Sequence, residues 1–90
     1  MDFVHYDLNQ LQGGEVVEAT LDTAANVRLL DDLNFRGYRD GRQYNFYGGY
    51  VRGSPYRTRV PHNGHWHLVI DLGGYSGQVR SSVRVLRGDG

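Results

Sequence analysis

Apolar and polar positions alternate with a period of two along much of the chain, the spacing of strands that bury one face. Val17-Glu18-Ala19-Thr20-Leu21 alternates small apolar with polar side chains. Trp66, Leu68, Ile70 and Leu72 fall on one face of a strand, with His65, His67, Val69 and Asp71 on the other. Val79, Ser81, Val83 and Val85 oppose Arg80, Ser82 and Arg84, while residues 26–30 and 44–47 are shorter candidates. Turn-forming residues punctuate these runs at Gly13-Gly14, Gly41, Gly48-Gly49, Ser54-Pro55, Asn63-Gly64 and Gly73-Gly74. The pattern predicts an all-β fold, an antiparallel β-sandwich of jelly-roll or Greek-key-like kind with about seven or eight short strands. One short helical turn is expected over residues 33–38, capped by Asp31 or Asp32 and stopped by Gly41. No segment is long enough for a packed helix.

The segment before His65 predicts a hairpin. A two-residue Asn63-Gly64 turn would pair His62 with His65 and place Val60 on the histidine face. A three-residue loop, His62-Asn63-Gly64 with Gly64 left-handed, pairs Val60 with Trp66 and Arg59 with His67. The second keeps apolar residues together and is preferred.

Ninety residues make one domain over 1–90, with 86–90 expected as a frayed tail. The hydrophobic share of 39% excludes a disordered chain. Cysteine is absent, which removes disulfides, thiolate metal sites and a Cys nucleophile. No long apolar run and no leader-like start are present, so a cytoplasmic protein without a membrane partner is expected.

Net charge is zero, yet unevenly laid out: residues 1–34 sum to −6 and residues 35–90 to +6, and every basic residue is arginine. Arginine suits bidentate contacts to carboxylate or phosphate. Mutual neutralisation of the two segments accounts for the layout more simply. Overall neutrality also disfavours a nucleic-acid partner.

Three constellations bear on chemistry. His62, His65 and His67 form H-x-x-H-x-H; residues i and i+2 of a strand point the same way, about 7 Å apart, and can converge on a metal. Asp71 lies too far along that face to complete the set, so no tight metal site and no cofactor are expected. The competing account has the histidines packing flat on a solvated sheet face against neighbours such as Arg59. No serine sits in a nucleophile elbow, and the glycine pairs lack the strand–loop–helix setting of a phosphate cradle, so the chain is expected not to be an enzyme. Between Phe35 and Arg59, by contrast, tyrosine and arginine interleave, the two residue types that dominate recognition hot spots. Tyr47, Tyr50, Arg52, Tyr56, Arg57 and Arg59, with His67, are the candidate ligand-binding residues. The alternative is structural, with Tyr44 and Phe46 in the core and the rest stacked on arginines. The terminal Arg87-Gly88-Asp89 is read as chain end rather than an adhesion motif.

Several local motifs occur together: Ala25-Asn26-Val27-Arg28-Leu29-Leu30-Asp31, Asn34-Phe35, Tyr38, Tyr47-Gly48-Gly49 and Ser54-Pro55. Val60-Pro61, Gly64, Trp66-His67, Asp71-Leu72-Gly73-Gly74-Tyr75 and Val79-Arg80-Ser81-Ser82-Val83 follow. With them the chain resembles, from Tyr6 to Leu86, a bacterial family of domains of unknown function, number eighteen eighty-three. The resemblance implies a small all-β bacterial protein, sometimes attached to a TIR signalling domain, and brings no activity and no site residues.

The expected function is therefore a non-catalytic binding or recognition module for a protein or a small polar or anionic ligand. The alternatives are a small metal- or sugar-directed enzyme using the His65/His67 face, and a homo-oligomeric structural protein.

Overall fold

The structure is a computed structural model that describes residues 3–74 and 77–87. Seven strands and one helix follow in order: β1 (Val4–Leu11), β2 (Val16–Leu21), β3 (Ala25–Asp31), α1 (Asp32–Arg39), β4 (Tyr47–Val51), β5 (Tyr56–Arg59), β6 (Gly64–Asp71) and β7 (Ser81–Leu86). They form two antiparallel sheets, one in the order β1-β6-β3-β4 and one in the order β5-β2-β7. The expected all-β sandwich is what the chain builds.

Period two does most of the work. Val17, Ala19 and Leu21 of β2, Ala25, Val27 and Leu29 of β3, and Trp66, Leu68 and Ile70 of β6 turn inward and are buried between the sheets. Their outward neighbours Glu18, Arg28, His65 and His67 carry the polar chemistry.

Two outward positions break the rule, and they explain the helix. Leu30 and Val69 are apolar and face away from the sandwich core, where they form a second buried cluster with Phe35 and Tyr38 of α1. Burying each such ring stabilises by about 1.5–3 kcal/mol. Asp31 caps α1 by accepting the Asn34 backbone N–H at 2.9 Å. The helix ends at Asp40, followed by left-handed Gly41. The cap and stop match expectation. The expectation of an unpacked turn is corrected: these two turns lie on the sheet because Phe35 and Tyr38, three apart, present one apolar stripe to it.

The preferred hairpin is also corrected. β5 pairs with β2 and β6 pairs with β1 and β3, so the two strands belong to different sheets. Val60 stays with the second sheet, its N–H donating to the Glu15 carbonyl at 2.8 Å. Val60 and Trp66 are both buried in the core. The apolar match that favoured the three-residue loop is met across the sandwich, not along a ladder. Residues 44–46 are not strand; β4 starts at Tyr47. Of the expected frayed tail, Leu86 pairs with Val16 and Arg87 reaches Glu15 at 3.2 Å. Residues 88–90, and with them the Arg-Gly-Asp reading, lie outside the described residues, as do Tyr75 and Ser76.

Candidate functional site

β6 sends His65 and His67 to the outer face of the four-stranded sheet, as their spacing predicts. The residues that join them come from elsewhere. β1 runs antiparallel beside β6, with Asp7 opposite His67 and His5 opposite Val69. A β-bulge between Asp7 and Asn9 shifts the register, so that Gln10, not Asn9, faces His65. Asn9 adopts a left-handed φ of 60°, and its N–H donates to Asp7 Oδ1 at 2.9 Å. That bond, and the His65 Nε2–H at 2.7 Å, hold the Asp7 carboxyl below the usual carboxylate range.

His67 is the buried centre of the group. Its Nε2–H donates to Asp32 Oδ1 at 3.0 Å, which lowers the Asp32 pKa. Its Nδ1 lies 2.9 Å from His5 Nε2, so one ring carries the proton between them. With neutral His67 protonated at Nε2, His5 is the donor. Burial is the main reason the His5 pKa falls, with repulsion from His67 next. The rings are stacked: Phe35 lies 4.3 Å from His67 and 4.2 Å from His5 between centroids, and His65 lies 4.9 Å from His67. Ligating atoms of Asp7, His65 and His67 all lie within 4.8 Å of one another, a set able to hold a metal ion.

His62 does not join this group. It lies against Trp66, 5.0 Å between ring centroids, and its carbonyl accepts the indole N–H at 3.0 Å. Arg59 does not pack on the histidines either; its guanidinium bonds the carbonyl of Gly14, in the turn between β1 and β2.

The candidate tyrosines and arginines divide. Tyr47, Tyr50 and Arg52 gather at β4, an edge strand, with Arg52 over the Tyr50 ring at 5.8 Å. Tyr50 is 63% exposed, Tyr47 50% and the neighbouring Phe46 41%, so Phe46 is not core. Tyr44 is half-buried, edge-on to Tyr38. Tyr56 packs into the main core. Arg57 lies on the outer face of the three-stranded sheet, where it and Arg84 bond the two oxygens of Glu18 at 2.7 and 2.6 Å. Those contacts, Arg84 first, hold the Glu18 carboxyl low. Glu18 and Glu15 thus draw Arg57, Arg84 and Arg87 from the basic part of the chain, the mutual neutralisation the charge layout suggested.

On the helix side of the first sheet, Asp71 is buried among Asn26, Arg28 and Tyr38. The Arg28 guanidinium also lies over the Tyr38 and Phe46 rings. Sequence reasoning missed His5, Asp7 and Asp32. Only the alternation Val4, Tyr6, Leu8 gave a sign that β1 would put His5 and Asp7 outward.

Among the described residues no helix is long and apolar enough to cross a membrane. No curated protein and no solved structure matches the chain. One family model does, from residue 1 to residue 89, and the chain therefore belongs to the family described as Domain of unknown function (DUF1883).

Proposed function

We propose that the domain is a non-catalytic recognition module that binds an extended segment of a protein partner along β4, through Tyr47, Tyr50 and Arg52. One observation carries the reading. Among the described residues β4 pairs on one side only, and its Tyr47-Gly48-Gly49-Tyr50-Val51 run holds two exposed tyrosines and no charge. Sheet edges are ordinarily blunted by charge, proline or cover, because unpaired N–H and C=O groups recruit another strand. An added strand takes affinity from those groups and specificity from flanking side chains. Arg52 supports a partner with a carboxylate next to its strand: it stacks on Tyr50 and makes no ion pair among the described residues. The cleft beside Arg52, lined by Leu21, Asp22, Thr23, Gly53 and Ser54, offers about 180 Å³. Small-molecule sites take about 300–1,000 Å³, which favours a protein over a small ligand.

Capture of partners from a lysate of the native host, beside thermal melts, tests the reading. Tyr50→Ala and Arg52→Ala are expected to leave the melting temperature nearly unchanged and to weaken capture by about 1–3 kcal/mol each. Loss of stability with unchanged capture would make this edge structural and end the proposal.

A further inference from the structure

We propose that Asp7, His65 and His67 form a binding site for a divalent first-row transition-metal ion of the zinc class, on the opposite flank of the sheet from β4. Two imidazoles at strand spacing leave such an ion short of donors, and the chain has no thiolate to add. The fold supplies the third. β1 brings Asp7 opposite His67, and the bulge after it leaves the same carboxylate 2.7 Å from His65 Nε2.

The dimensions suit an ion. Ligand bonds of about 2.0–2.2 Å in a tetrahedral arrangement place donor atoms about 3.4 Å apart. The three donors already lie within 4.8 Å of one another. Opening the Asp7–His65 contact to that spacing is a movement of about 0.7 Å, a small rotation of two partly exposed side chains. The backbones carrying all three are neighbouring hydrogen-bonded strands, so little ordering is left to binding.

The surroundings suit one too. Metal-bound histidines usually hold their second nitrogen in a hydrogen bond that fixes ring and tautomer. Whichever nitrogen His67 gives, the other is held, either Nε2 by Asp32 or Nδ1 against His5. Phe35 lies flat against His67 and fixes the plane of the ring. Asp7 and His65 stay open to solvent, which gives the ion an entry path and a position for water. Two nitrogens and one oxygen suit zinc, nickel, cobalt or ferrous iron, and suit calcium or magnesium poorly.

Titration of the untagged full chain with Zn²⁺ alone by calorimetry, and with Co²⁺ by visible absorption, tests the site. The expected result is one ion per chain at a Kd of about 1 μM or tighter. His65→Ala and the near-isosteric Asp7→Asn are expected to weaken binding at least about 100-fold. His62→Ala is the control and leaves binding unchanged. Melts of the metal-free variants within a few degrees of the parent chain show that the losses are of ligands, not of fold. Absence of binding in the parent chain, or equal weakening by His62→Ala and His65→Ala, overturns the proposal. The β4 reading stands or falls separately, because its variants leave these residues intact.

Discussion

Asp71 takes four donors: the Asn26 amide at 3.0 Å, the Tyr38 hydroxyl at 2.7 Å, the Gly73 N–H at 2.8 Å and the Arg28 guanidinium. Burial alone would raise its pKa, but the donors outweigh it and the carboxyl ends below the usual range. A carboxyl whose folded pKa lies below its unfolded value adds stability that is complete above about pH 4 and is lost as pH falls through the folded value. Asp71→Asn leaves the Arg28 charge without its counter-ion and is expected to cost about 3–5 kcal/mol at pH 7. In denaturant melts the deficit of the Asn variant should shrink as the pH drops below about 4. A deficit that is the same at pH 7 and pH 3 would show that the charge is not what matters. Sequence spacing placed Asp71 on the histidine face, and there it is engaged by Asn26, Arg28 and Tyr38. The same spacing had no access to Asp7, which reaches His65 across 58 residues of chain. Donors gathered from strands far apart in sequence leave no local mark.

Elements were legible where one side of a strand is buried and the alternation is unbroken, as in β2, β6 and β7. β1 escaped because its bulge shifts the pattern: Tyr6 and Leu8 face the core, and the next core residue is Leu11. The packed helix had a sign in outward-facing Val69 and Leu30, apolar residues that no solvated sheet face needs. β4 depends on a feature that no hydrophobic pattern reports. Gly48 sits at a φ of 131°, and a Cβ there would lie 2.1 Å from the Val27 carbonyl oxygen. Gly48→Ala is therefore expected to cost about 1–3 kcal/mol and to loosen β4 from β3, read as faster amide exchange over the strand. Gly53→Ala, with no positive φ and nothing within 4 Å of the added carbon, is the matched control. Equal effects of the two would remove the steric argument.

For the whole molecule, the sandwich class was readable and the allocation of strands to sheets was not. Among the described residues the chain alternates between sheets, and the one pair of consecutive strands that are ladder partners, β3 and β4, is separated by α1. β1 waits for β6, and β2 for β5 and β7. Loop-closure entropy must be met before these distant pairings form, so folding is expected on a scale of about milliseconds to seconds. Stopped-flow refolding followed by Trp66 fluorescence checks this; completion in microseconds would contradict it.

β6 gives this architecture an evolutionary grammar. Three of its even-numbered residues, Trp66, Leu68 and Ile70, face the inter-sheet core. Of its odd-numbered residues, Val69 and Asp71 anchor the helix side, and His65 and His67 carry ionisable chemistry. Parity therefore separates two kinds of inheritance on a single eight-residue strand. A lineage can rewrite the two histidines and gain or shed chemistry without touching a side chain that holds the sheets together. An inserted or deleted residue has no such freedom, because it would exchange the two vocabularies at once.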